Sequence, residues 1–148
     1  MTESVTLLSR HEITRQELAK VLIQARGDYF PGNGCIGHIS QGEQSIWVYA
    51  GKESLRECLQ EYLDILEQDD PVRLEQIRSK LGGEPQAYME IAIRDTRGSG
   101  KLAVDFACRC AENWPCVVIA SDPPPRVFSK KEILQLCKEG KGFRIYGM

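Results

Sequence analysis

The stretch Tyr88–Asp122, YMEIAIRDTRGSGKLAVDFACRCAENWPCVVIASD, decides the fold. In Tyr88–Arg94 the apolar residues Met89, Ile91 and Ile93 recur with period two, the pattern of a strand with one face in a core. A glycine-containing turn, Asp95–Lys101, follows, and from Leu102 an amphipathic helix runs to Asn113-Trp114-Pro115. Cys116–Ala120 is then apolar without alternation, which predicts a strand covered on both faces and therefore central. Strand, helix and strand in this order predict an α/β architecture.

Working outward, three helix starts carry a Ser or Thr followed three residues later by Glu, the reciprocal cap that satisfies orphan backbone donors. Thr14 with Glu17 predicts a helix to about Arg26 with Leu18, Val21, Leu22 and Ala25 on one face. Ser54 with Glu57 predicts a second helix, striped by Leu55, Cys58, Leu59, Tyr62, Leu63 and Leu66. Ser129 with Glu132 predicts a last helix ending near Gly140. Pro71 suits the first turn of a further helix that Gly82-Gly83 stops after Leu81. Val5–Leu8 reads as a short strand, and Cys35–Ser40 and Ser45–Ala50 flank Gln41-Gly42-Glu43-Gln44 as a hairpin. The expected order is β-α-β-β-α-α-β-α-β-α, closed by Phe143–Tyr146. The fold class expected is α/β (α+β), a single-domain sandwich over residues 1–148 with a mixed sheet covered by helices. Pro123-Pro124-Pro125 is too short for a domain boundary and stiffens one loop.

Composition agrees with one core. A chain of 148 residues hides roughly two-thirds of its unfolded surface, and 42% hydrophobic with 27% charged residues excludes disordered and fibrous classes. MTESVTLLSRHE lacks a basic region followed by an apolar run, and no stretch approaches a membrane span. A cytoplasmic location with no membrane partner is expected. The six cysteines, at 35, 58, 108, 110, 116 and 137, contain no C-x-x-C pair, and in a cytosolic chain they read as small core residues kept reduced. No metal site is expected, because Cys108 and Cys110, two apart on a helix, point in different directions.

Two glycine signals could carry chemistry. Gly32–Gly37, GNGCIG, matches a dinucleotide fingerprint by letter, but a helix and Tyr29-Phe30-Pro31 precede it where a strand is needed. It reads as a turn into a hairpin. Asp95–Lys101 has the strand–loop–helix layout of a phosphate cradle, with Asp122 ending the next strand as a metal-holding acid would. Asp95 replaces the leading glycine of a P-loop and Leu102 its Ser/Thr. The loop also resembles the pyrophosphate loop of the acetyltransferase superfamily at Gly98 and Gly100, although Asp95 stands at the Arg/Gln position. An acyl-CoA-dependent transferase using Gly98–Lys101 is therefore one alternative, and a helix start after a flexible turn, within a scaffold domain, is another. His11 precedes a helix and His38 sits in a strand; Cys35 with His38 is a conceivable pair that nothing in the sequence activates. No cofactor is expected.

The charge is not evenly spread. Residues 53–70, ESLRECLQEYLDILEQDD, hold Glu53, Glu57, Glu61, Asp64, Glu67, Asp69 and Asp70 against Arg56 alone, a local charge of −6 in a chain of −2. Glu53, Glu57, Glu61 and Asp64 would share one helix side, opposite the leucines, and repel one another by a few tenths of a kcal/mol per pair. Such a stripe is either an ordinary solvated face or a docking surface for something basic. Asp69-Asp70 could simply favour the next helix's N-terminus.

MEIAIRD, SGKLAVDFACRCAENWPCVVIASD and RVFSKKEILQL together resemble small bacterial immunity proteins of contact-dependent growth inhibition and related polymorphic toxin systems, over about residues 86–140. The resemblance implies a cytosolic, non-catalytic protein that binds and blocks a cognate toxin domain, often a nuclease. An acidic helix laid into a nuclease's basic groove would mimic nucleic acid charge and exclude substrate. The seven acids of 53–70 are then the expected contact, with Trp47, Tyr49 or Trp114 as anchors where exposed, and nucleic acid itself is not an expected partner. Arg126, Lys130, Lys131, Lys138, Lys141 and Arg144 against Glu132 and Glu139 give the C-terminal segment +4, which leaves other toxins or another contact face open.

Overall fold

Strand alternation sets the architecture. The computed structural model describes residues 3–121 and 125–143, and among these the chain forms seven strands and five helices. In β1 (Glu3–Ser9), Val5 and Leu7 enter one core and Leu8 enters another on the opposite side of the sheet. β5 (Ala87–Ile93) divides likewise, with Met89, Ile91 and Ile93 in the first core and Tyr88 against the second. β6 (Cys116–Ala120), apolar throughout, feeds both: Val118 to the first, Val117 and Ile119 to the second. The remaining strands are β2 (Asp28–Tyr29), β3 (Cys35–Gln41), β4 (Gln44–Tyr49) and β7 (Arg126–Phe128), and the sheet order is β2-β3-β4-β5-β1-β6-β7.

The α/β sandwich is as expected, but every pairing is antiparallel where a mixed sheet was predicted. β5 and β6 do run in the same direction, joined by the helix α4 (Ser99–Asn113). They never pair because β1 lies between them, with Val5 opposite both Ile91 and Ala120. This is a split crossover, whose parallel strands are separated by a strand from elsewhere in the chain. β6 is accordingly an inner strand, one place from the β7 edge.

Helices cover the two faces unequally. α1 (Arg15–Gln24), α4 and α5 (Lys130–Glu139) pack on the first core through Leu18, Val21, Leu22, Phe106, Ala107 and Ile133. α2 (Leu59–Asp69) and α3 (Pro71–Leu81) pack on the second through Leu59, Ile77 and Leu81. Thr14 and Ser129 form the predicted reciprocal caps, and Gly82 ends α3 in the left-handed region at φ +78°. Gly37 lets α1 approach closely, since a Cβ there would lie 2.4 Å from Leu22 Cδ1.

The acidic helix does not begin where its sequence predicts. Ser54 makes no helix cap, residues 55–58 form a turn, and α2 starts at Leu59 after Cys58. Leu55 is the cause: its side chain is buried in the first core, and its carbonyl accepts from Tyr88 N at 2.8 Å. The segment thus passes from one core to the other, and no single helix face can serve both. α4, by contrast, starts three residues earlier than Leu102, at Ser99. β2 and β7 were not foreseen, being two and three residues long. Asp122 and most of Phe143–Tyr146 lie outside the described residues; Phe143 itself is buried against Phe128 at 5.2 Å between ring centroids.

Two polar contacts hold the layers. Arg15, buried at the start of α1, donates to the carbonyls of Gly51 and Phe30. Replacing it with Met keeps the stem but takes this donor from the Gly51 carbonyl and leaves the Phe30 carbonyl only Asn33 N at 3.4 Å, and should cost about 2 kcal/mol in urea denaturation. Glu132 receives Ser129 N at 2.9 Å, Lys80 Nζ at 3.0 Å and Arg126 Nη2 at 2.9 Å, tying α5 to α3 and β7. Burial pushes its carboxyl up, but these three donors outweigh it and hold it at about 2, below the usual 4.5. A depressed carboxyl contributes stability that is present above pH 4.5 and lost as pH falls toward 2. Glu132→Gln should therefore lower the midpoint of thermal unfolding at pH 7 and flatten its decline between pH 4.5 and 2.

Candidate functional site

α2 covers only the inner strands of the second face. Tyr62 packs against Tyr88 with ring centroids 5.2 Å apart, and α3 continues over Val117, Ile119 and Val127. Beyond Tyr88 no helix among the described residues covers the face. Register places Glu90 beside Tyr49, Ala92 beside Trp47, and Trp47 beside His38, all on this side. Between this open half-sheet and α2 lies a groove of about 570 Å³, lined by Tyr49, Tyr62, Tyr88, Glu61, Glu90 and Ile65 among others. Tyr49 is 40% exposed and Ile65 51%, two of the four large apolar side chains that face solvent among the described residues.

The predicted acidic residues fall into three groups. Glu61, Asp64, Glu67 and Asp69 are exposed on α2, and no ion pair among the described residues engages them. Glu61, Asp64, Ile65 and Gln68 share one outward patch. Glu53 and Glu57 are exposed but precede the helix, where Glu57 Oε1 accepts from Glu53 N at 3.2 Å. Asp70 is a cap: Oδ1 accepts from Arg73 N and Oδ2 from Arg73 Nε, each at 3.2 Å, so its charge is spent on α3. The expected four-residue stripe at Glu53, Glu57, Glu61 and Asp64 is therefore broken at its N-terminal end by the turn that buries Leu55.

Of the anchors expected, Trp114 is buried at 6% exposure, with His11 stacked on it. Trp47 is half-buried and stacks on His38 at 5.2 Å, while Tyr49 stands free enough to be touched. Tyr62, Tyr88 and Glu90 escaped the reading as site residues. Their signal was present: in a strand whose odd positions are apolar, the even residues Tyr88 and Glu90 must occupy the other face.

No family model matches this chain, and no curated protein or solved structure does either.

The Gly98–Lys101 loop packs against the β3–β4 hairpin. Ser99 is fully buried; its hydroxyl accepts from Ser45 N at 3.0 Å and lies 2.7 Å from Thr96 Oγ1, which donates to the Glu43 carbonyl. Gly98 adopts φ +92° with the Gln44 side chain over its α-carbon, and Gly100 faces Gly142. The loop thus anchors α4 to the β3–β4 hairpin. Gly32–Gly37 is a turn into β3, bent by a register shift between Cys35 and Gly37. His38 Nδ1 lies 3.9 Å from Asp28 Oδ2, whereas Cys35 Sγ donates to the Gly37 carbonyl at 3.6 Å. Burial pushes the Cys35 thiol up, despite the Gly37 and Tyr49 contacts that pull it down. The two therefore do not form an activated pair. Among the described residues no cluster of His, Cys, Asp and Glu could hold a metal ion, and no helix is long and apolar enough to cross a membrane.

All six thiols are free, but Cys58 is exposed at the start of α2 instead of lying in the core as expected. Cys110 and Cys116 are buried, and burial raises Cys110 well above its usual value and Cys116 to about 12, the latter against the pull of Lys130. Iodoacetamide should alkylate Cys58 first in the native protein, and Cys110 and Cys116 only with global unfolding. Mass spectrometry of timed digests reads this order.

Proposed function

We propose that this chain is an immunity protein: a cytoplasmic, non-catalytic inhibitor that binds a cognate bacterial toxin domain, a nuclease in the simplest case, and occludes its active site. The observation that carries the reading is the flank of α2, where Glu61, Asp64, Glu67 and Asp69 stand exposed, in no ion pair among the described residues, beside the open half-sheet and the apolar Tyr49 and Ile65. Uncompensated charge next to exposed apolar surface has the composition of an interface, with a central anchor and a polar rim. A basic groove that binds phosphates would be attracted to it at long range, speeding encounter, and the apolar contacts would then slow escape. Glu53 and Glu57 extend the acidic flank ahead of the helix, and Asp70 contributes only through α3.

The resemblance over residues 86–140 and the exposed acidic flank of α2 both support the toxin-inhibiting role. The test is binding to the catalytically inactivated C-terminal domain of the toxin encoded beside this gene. The variant Glu61→Lys/Asp64→Lys/Glu67→Lys should slow association on the order of 10–100-fold at low salt, with its thermal midpoint little changed because the three side chains are exposed and the bond Asp64 accepts from Gln60 lies within α2 itself. In the unaltered protein association should slow steeply as salt is raised. Capture of the toxin domain undiminished by the triple reversal would remove α2 from the interface. Failure of the unaltered protein to bind that domain would overturn the reading itself.

A further inference from the structure

We infer that the groove between α2 and β4–β5 receives an arginine side chain from the docked partner. This deepens the docking reading above and rests on it. The groove has two kinds of wall. Tyr49, Tyr62 and Tyr88 give it aromatic surface, and carboxylates reach it from both sides, Glu61 from α2 and Glu90 from β5. Among the described residues no lysine, arginine or histidine lines it. Glu90 is held in place by Ser4 Oγ, which donates to Oε2 at 3.1 Å. The tyrosines are uncharged at neutral pH: burial, then nearby carboxylates and phenols, pushes Tyr88 up to about 12, and burial also raises Tyr49 and Tyr62.

An occupant must satisfy both walls at once. An anion is repelled by the two carboxylates. A purely apolar side chain fills the tyrosine surface but takes water from Glu61 and Glu90 without replacing it, which costs free energy for each charge left unpaired. A bare metal ion leaves most of the 570 Å³ empty. A long side chain with an apolar stem and a cationic end meets all the requirements. Arginine suits them better than lysine, because the planar guanidinium stacks on a phenol ring while its edge donors reach carboxylates on either side. A nuclease groove, or any phosphate-binding surface, displays such residues.

The probe is N-acetyl-arginine amide, titrated into the isotope-labelled full chain and followed by amide shifts in the two-dimensional NMR spectrum. Saturable shifts are expected at Glu61, Tyr62, Tyr88 and Glu90, with a dissociation constant on the order of 1 mM for so small a ligand. The lysine analogue should bind several-fold more weakly and the norleucine analogue not measurably. Glu61→Gln/Glu90→Gln should weaken arginine binding at least tenfold. Tyr49→Ala, a change at an exposed ring, should weaken it as well, giving a second variant if the double one unfolds. No saturable shifts with the arginine probe, an equal response to norleucine, or indifference to these variants would overturn the inference. Equal affinity for the lysine analogue would overturn the guanidinium assignment. The outcomes separate from those of the docking reading. Full-strength capture of the toxin domain by Glu61→Gln/Glu90→Gln would remove the arginine anchor and leave docking standing. A groove that binds the probe in a protein that never captures the toxin would do the reverse.

Discussion

The insertion of β1 between β5 and β6 is the constraint on which the rest of the structure depends. Paired on both sides, β1 ties β5 and β6 into the interior of the sheet, and the apolar residues on both faces of these strands must be covered. Seven strands spaced about 4.8 Å apart span about 29 Å. Three helices, each about 10 Å across, cover that breadth on the first face. On the second face the described residues supply α2 and α3, about 20 Å of cover. The shortfall lands on β3 and β4, whose outward residues are accordingly polar or aromatic: His38, Trp47 and Tyr49. The open half-sheet is thus a geometric remainder of the topology, and the groove is its border with α2.

The strand patterns in the sequence were the most legible part because each strand obeys its own local rule. Cys116–Ala120 has the bounds read from its apolar run, and Met89, Ile91 and Ile93 face the core that their alternation predicts. The Gly42-Glu43 turn closes a hairpin with Gln41 opposite Gln44, as the residues between the strands indicate. Strand direction was not legible, because strand–helix–strand says only that two strands run the same way. Nothing local in Glu3–Ser9 says that this segment fills the gap between them.

The acidic segment shows the same limit from the side of the site. Ser54 and Glu57 form a sound helix-start signal, and Leu55 fits the apolar stripe of the helix they would open. Tertiary burial of Leu55 outweighs the cap, whose contribution is only about 1 kcal/mol, and the helix begins a turn later. Asp70 was legible in its structural role, as an acid at the next helix's N-terminus, and the structure assigns it there through Arg73. The groove itself needed three elements to meet: Tyr49 from β4, Tyr88 and Glu90 from β5, and Tyr62 and Glu61 from α2. No window of sequence contains that meeting.

The position of β1 also bears on how the chain comes into being. Its partners are β5 and β6, so β1 pairs with residues 78 to 115 positions later in the chain. At about 5–20 residues per second, synthesis keeps β1 waiting for several seconds. The β3–β4 hairpin and α1 can form in that interval, but the central sheet cannot. Until then Val5, Leu7 and Leu8 sit on a strand with two open edges, which makes this short segment a natural place for a chaperone to hold the nascent chain.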